Sequence, residues 1–276
     1  MQKNPYKFIG PLDPVEDKIV CCPRLNEINK VISSIRQGDY WTILGPRQIG
    51  KTTFLRQIRS ELSIFPSVYI DFEVSPKTEE NFYNWIIEII THVVDNIELN
   101  EKERTYDDYE PELKFLNFLK SIKIKDNKKI ILLFDEIEKT PLVRSFLHIW
   151  RKVFHERYDQ DEFKKYTVIL AGSVELVPLT VGEISPFNIA QKLYLSNFTF
   201  QETERLIDDP LKIFSIELNL HAKREIINQT SGHPQLLQHL CHILVDQIKE
   251  ESRLIKKEDV DKALYRLYVE NDNIKM

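Results

Sequence analysis

The eight residues Gly45-Pro46-Arg47-Gln48-Ile49-Gly50-Lys51-Thr52 constrain this chain more than any other stretch. They satisfy G-x-x-x-x-G-K-[ST] without a mismatch. The apolar run from Tyr40 to Leu44 leads in, and Thr53 to Ile58 leads out with helical spacing, so the segment reads as strand, tight loop and helix. Gly45 and Gly50 allow the backbone to turn so that successive N–H groups converge, and the following helix adds its positive end at the same point. That is a phosphate cradle. Gly45, Pro46, Arg47, Gln48, Ile49, Gly50, Lys51, Thr52 and Thr53 are therefore candidate nucleotide-binding residues. Lys51 is expected to bring a charge to the β- and γ-phosphates, the Thr52 hydroxyl is a candidate Mg²⁺ ligand, and the Arg47 side chain is expected to face outward.

The pattern around the loop is that of alternating strands and helices. Residues 1–23, rich in proline, read as an extended arm over the surface. A helix is expected from Arg24 to Gly38, strands at 40–44 and 68–72, and helices at 82–94 and 113–122, with an acidic solvated loop between them from Asp95 to Pro111. Ile130 to Phe134 is a wholly apolar run bounded by charges, as in a central parallel strand. A helix at 142–158, strands at 166–171 and 189–195, and then helices alone (200–207, 221–229, 234–250, 258–269) complete the chain. The expected domains are the arm, an α/β core over 24–197 and an all-α subdomain over 198–276.

Asp135-Glu136 ends the apolar run, and carboxylates at the C-terminal end of a buried strand stand where α/β sheets bind ligands. Asp135 is a candidate Mg²⁺ ligand. Glu136 is a candidate base for an attacking water, since phosphoryl transfer needs positioning and charge neutralisation. Ser173, closing the next buried strand, can reach the γ-phosphate or that water, or simply cap the strand end. Ser231-Gly232-His233-Pro234 opens a helix with proline in its favoured first turn. Arg144, Arg151 and Arg157 read as a solvated helix face, with an arginine acting on a neighbouring protomer's nucleotide as the alternative. Three cysteines, two of them adjacent, give neither a disulfide framework nor a metal-ligand spacing.

These motifs together resemble the bacterial and archaeal AAA-like ATPases of the STAND group, relatives of NACHT and NB-ARC switch domains. The resemblance runs from Asn4 to about Tyr268 and rests on Asn4-Pro5-Tyr6, Arg24-x-x-Glu27, the phosphate loop, Asp135-Glu136, Ala171-Gly172-Ser173, Ser185-Pro186-Phe187-Asn188, Leu195-x-x-Phe198-Thr199 and Gly232-His233-Pro234. It implies a P-loop NTPase sandwich with a parallel sheet of order 5-1-4-3-2, followed by a small helical lid. It also implies ATP and Mg²⁺ as ligands, adenine contact by Pro234 with His233 beside it, and a homo-oligomer or a separate effector as partner. Where the family has Gly-Arg before its first helix this chain has Pro23-Arg24.

A net charge of −5 gives no global attraction to nucleic acid or an anionic membrane, no apolar run approaches a membrane span, and the start of the chain lacks a signal core. The expectation is a cytoplasmic, ATP-hydrolysing switch of slow turnover. A DNA-handling AAA+ ATPase and a nucleotide-binding adaptor with little turnover are the alternatives.

Overall fold

The computed structural model describes residues 4–94, 110–124, 129–183, 185–248 and 253–270. Most of the expected acidic loop lies outside them. The chain forms two compact units, one of residues 25–46 and 58–194, the other of residues 1–24, 47–57 and 195–276.

The first unit is α/β. In chain order it contains α1 (Leu25–Gln37), β1 (Trp41–Leu44), β2 (Ser67–Asp71), α3 (Glu79–Val93), α4 (Pro111–Ser121), β3 (Ile130–Asp135), α5 (Val143–Glu156), β4 (Tyr166–Gly172), the single turn α6 (Val177–Thr180) and β5 (Gln191–Tyr194). The five strands are parallel in the order β2-β3-β4-β1-β5, which is the expected 5-1-4-3-2 read from the other edge. Position in the sheet explains strand composition. Central β3 and β4 are buried at every residue and read as continuous apolar runs. Edge β2 alternates, burying Val68 and Ile70 while Ser67, Tyr69 and Asp71 are half-buried, and edge β5 buries no residue at all. One face of the sheet packs on an aromatic cluster centred on Phe146, whose ring lies 5.2 Å from Phe134 and 6.1 Å from Trp150.

The expected solvated arginine face is corrected by this packing. Arg151 donates to the Ser185 carbonyl at 3.0 Å. Arg157 donates to the Gly38 carbonyl at 2.6 Å and stacks 3.7 Å over the Phe154 ring. With Lys129 donating to the Ile35 and Arg36 carbonyls, Arg157 satisfies the acceptors that α1 leaves at its C-terminus. Of the three arginines, Arg144 is exposed.

The second unit is mainly helical, built of α7 (Phe200–Ile213), α8 (Leu220–Thr230), α9 (Pro234–Gln247) and α10 (Lys257–Glu270). It also holds two short parallel strands, β6 (Glu217–Leu218) and β7 (Leu254–Ile255), where helices alone were expected. Two residues are too few to show a period. Helix α7 starts where Thr199 and Glu202 form a reciprocal capping box. It runs past Pro210, although proline predicts an end near residue 207. The missing Pro210 N–H orphans the Leu206 carbonyl four residues earlier. The Tyr6 hydroxyl lies 3.1 Å from that carbonyl and 3.1 Å from the Ile207 carbonyl, and supplies the donor.

That contact corrects the reading of the arm as a surface segment. Tyr6 and Val20 are buried in the helical unit's own core. Phe8 stacks on His239 with rings 3.8 Å apart, Asn4 donates to the His242 carbonyl, and Gln238 donates to the Val20 carbonyl. Removing the Tyr6 hydroxyl strands a buried acceptor, which costs about 1–3 kcal/mol. Tyr6→Phe is therefore expected to lower the midpoint of urea unfolding followed by tryptophan fluorescence and circular dichroism. Tyr265→Phe, at an exposed position on α10, is expected to leave it unchanged.

Candidate active site

The parallel register sends the C-terminal ends of β1, β4 and β3 to one edge of the sheet, with Leu44 opposite Gly172 and Phe134 opposite Leu170. Gly45 and Pro46 follow β1, Ser173 follows β4, and Asp135 ends β3 at that same edge. The loop then enters helix α2 (Lys51–Glu61), whose first interior bond runs from the Phe54 N–H to the Gly50 carbonyl. Gln48 and Gly50 adopt positive φ of 60° and 93°. A Cβ on Gly50 would meet nothing within 4 Å, so glycine is required there for its dihedral freedom and not for space. Lys51 is 5% exposed, Thr52 and Thr53 are half-buried, and Arg47 is exposed as expected.

Asp135 is fully buried. Its Oδ2 accepts a hydrogen bond from the Tyr69 hydroxyl at 2.9 Å, and its Oδ1 accepts the Glu136 N–H at 3.1 Å. Tyr69 pairs with Leu133, so it reaches Asp135 diagonally across the same sheet face. Sequence reading missed Tyr69, although the period-2 parity of β2 was available to find it. Glu136 occupies the left-handed region, φ 50° and ψ 34°. For a side chain of this size that conformation costs on the order of 1–3 kcal/mol, and such strain gathers at functional positions. Ser173 is 7% exposed and its hydroxyl accepts the Glu175 N–H at 3.3 Å, so the expected capping role is real. Its own N–H donates to Glu138 Oε1 at 2.6 Å. Glu138 was not among the expected site residues.

In the helical unit, residues 47–57 are braced by the arm. Leu12 donates to Thr53 Oγ1 at 3.2 Å, and Arg56 to the Pro11 carbonyl at 3.3 Å. Gln57 donates to the Cys22 carbonyl at 2.7 Å and to Cys21 Sγ at 3.2 Å. Burial pushes both thiols up, Cys22 to about 11, so the pair anchors the arm as neutral thiols. Arg24, 5% exposed and at φ 40°, donates to the Ile49 carbonyl at 3.3 Å and the Ser196 carbonyl at 2.8 Å, with its guanidinium 4.7 Å over Phe198. The Phe198 N–H in turn donates to the Gly232 carbonyl at 2.9 Å. A Cβ on Gly232 would lie 2.5 Å from the Phe198 carbonyl oxygen. Gly232-His233-Pro234 is thus three contacts from the phosphate loop, with Arg24 and Phe198 between them. His233 and Pro234 cap α9 as N-cap and first-turn residue, and His233 Nδ1 accepts the Leu236 N–H at 3.5 Å.

The residues present fit a magnesium nucleotide. Mg²⁺ prefers one or two hard protein oxygens plus substrate phosphates over an all-protein cage. Among the described residues no group of three His, Cys, Asp or Glu is arranged to hold a metal, whereas the Thr52 hydroxyl and Asp135 are oxygen donors of the required kind. Among the same residues no helix is long and apolar enough to cross a membrane.

A five-stranded parallel sheet in this order, with a glycine loop after β1 and an Asp-Glu pair after β3, is a P-loop NTPase fold. The profile of the AAA-like domain family matches residues 24–276, and the chain belongs to that family. Its fold is similar to that of the RuvB Holliday junction branch migration motor of Thermotoga maritima, at 17% identity and TM-score 0.58 over 95% of this chain and 74% of that one. A Walker-type ATPase of Pyrococcus abyssi matches at 17% identity and TM-score 0.63 over 95% and 75% of the two chains. Cdc6p from Pyrobaculum aerophilum matches at 15% and 0.62 over 88% and 66%. No curated protein sequence matches.

Burial lowers the pKa of His233 below the ordinary histidine value, because desolvation disfavours the charged ring. The unfolded chain therefore takes up this proton first as pH falls. The cap is fully effective above about pH 6.5 and its stability is lost as pH drops through the folded value. The melting temperature of wild type is expected to fall more between pH 7.5 and 5.5 than that of His233→Asn, which keeps a capping acceptor that does not titrate.

Proposed function

We propose that this protein is a Mg²⁺-dependent ATPase that acts as a molecular switch of the STAND type, its nucleotide state controlling assembly with itself or with a partner or effector protein. Backbone N–H groups of residues 45–50 and the Lys51 ammonium hold the ATP phosphates, and the Thr52 hydroxyl and Asp135 hold Mg²⁺. Bound Mg²⁺ supplies charge neutralisation at the phosphate oxygens. Glu136 accepts the proton of the attacking water, and Ser173 orients that water or a γ-phosphate oxygen. Tyr69 keeps the Asp135 carboxylate in place. Pro234 and His233 contact the adenine.

The observation that carries the switch reading is Arg24. One buried side chain spans a phosphate-loop carbonyl and the Ser196 carbonyl, and Phe198 continues the path to Gly232. A nucleotide that shifts the Ile49 carbonyl then biases the position of Gly232-His233-Pro234, which is the differential contact that a two-state device requires. The likeness to a branch migration motor is one of fold, and a net charge of −5 offers no general attraction to phosphate backbones.

ATP turnover and solution mass test this directly. Wild type is expected to hydrolyse ATP slowly and Lys51→Ala to lose ATP binding. Glu136→Gln is expected to bind ATP, to turn over roughly 10²–10⁴-fold more slowly, and to accumulate as a larger species in Mg-ATP. Monomeric behaviour of all three proteins, with unchanged turnover in Glu136→Gln, would overturn the reading.

A further inference from the structure

The Ser173 N–H donates to a carboxylate that no role above explains. Glu138 lies in the 3₁₀ turn Ile137–Lys139, which directly follows Asp135-Glu136. The turn is pinned by the fully buried Ile137 and by the bond from the Lys139 N–H to the Glu136 carbonyl. From it, Glu138 reaches over the end of β4. Oε1 takes the Ser173 N–H at 2.6 Å, while Oε2 is shielded from solvent and has no hydrogen-bond partner among the described residues. Leaving a carboxylate oxygen desolvated and unmatched is costly, and a purely structural turn has cheaper solutions.

The neighbouring backbone makes room for the same oxygen. A Cβ on Gly172 would collide with Glu138 Oε2 and come within 2.8 Å of Leu176 Cδ2. Gly172 does not sit at a positive φ, so its dihedral does not call for glycine. Space for the Glu138 carboxylate does. A glycine, an acid and a serine N–H thus form one device joining the turn after β3 to the turn after β4.

We propose that Glu138 is a positioning residue for hydrolysis. It ties Ser173 to the turn that carries Asp135 and Glu136, so that the serine hydroxyl and the Glu136 carboxylate hold a fixed relation, and Gly172 is glycine to admit it. The proposal rests on the ATPase reading above and deepens it. Ser173 Oγ already accepts the Glu175 N–H, which leaves its O–H to donate to a phosphate oxygen or to water. The Glu138 bond decides where that O–H points.

Three single variants and one double variant separate this from a structural role when kcat, KM and ATP affinity by calorimetry are measured together with melting temperature. Glu138→Ala is expected to lower kcat roughly 10- to 100-fold, with ATP affinity and melting temperature close to wild type. Glu138→Gln keeps an acceptor for the Ser173 N–H and is expected to recover most of that loss. Gly172→Ala removes no polar group but displaces the carboxylate. It is expected to match Glu138→Ala in kcat and ATP affinity, with some loss of melting temperature because its Cβ also crowds the buried Leu176. The double variant is expected to be no slower than either single one, because both break one contact. Wild-type kcat in Glu138→Ala, equal losses in Glu138→Ala and Glu138→Gln, or a common loss of affinity, kcat and melting temperature would each overturn the proposal. If wild type itself hydrolyses no ATP, the ATPase reading fails and this inference falls with it. If wild type is active and the variants behave in one of those three ways, only this inference falls.

Discussion

Strand β3 is buried along its whole length and ends in a carboxylate that is itself fully buried. An apolar strand in the middle of a sheet has no use for such a group, and water cannot solvate it. Its environment must do so. Tyr69 from the neighbouring strand donates to one oxygen, and the next peptide N–H donates to the other. To present that N–H the chain turns into the left-handed region at Glu136, and the 3₁₀ turn that follows sets Glu138 over the end of β4. Much of the local geometry at this sheet edge follows from keeping Asp135 satisfied at the end of a dry strand.

The helical unit solves a comparable problem with proline. Pro210 lies inside α7 and frees a carbonyl that faces a packed interior. A hydroxyl two hundred residues earlier in sequence closes that gap, and the aromatic ring carrying it helps fill the unit's core. Around it the arm is stitched by Phe8 on His239 and by Gln238 on Val20, and it continues to the phosphate-loop helix through Leu12 and Thr53.

What could be read from the sequence was whatever has a local signature. The phosphate loop, the buried run ending in Asp135-Glu136, and the alternation of strands and helices each lie within a window of a few residues. Family resemblance then supplied the sheet order, which agrees with the structure. What escaped depends on partners distant in sequence. Proline predicts the end of α7 unless Tyr6 is known to compensate. An arm rich in proline looks superficial until its two apolar anchors are seen in a core. Arg151 and Arg157 look solvated until the carbonyls of Ser185 and Gly38 arrive beside them. Glu138 was one more acid after a recognised pair, and only its position over Gly172 sets it apart.

The path of the chain through the helical unit also has a consequence in time. The arm and the phosphate-loop segment leave the ribosome before the helices that complete their surroundings, which are encoded some two hundred residues after Tyr6. At roughly 5–20 residues per second that interval is about 10–40 s. Throughout it, Tyr6, Phe8 and Val20 have no core to enter, and Arg24 has no Ser196 carbonyl to hold. A growing chain of this protein carries an intact phosphate-loop sequence well before it carries a finished phosphate loop.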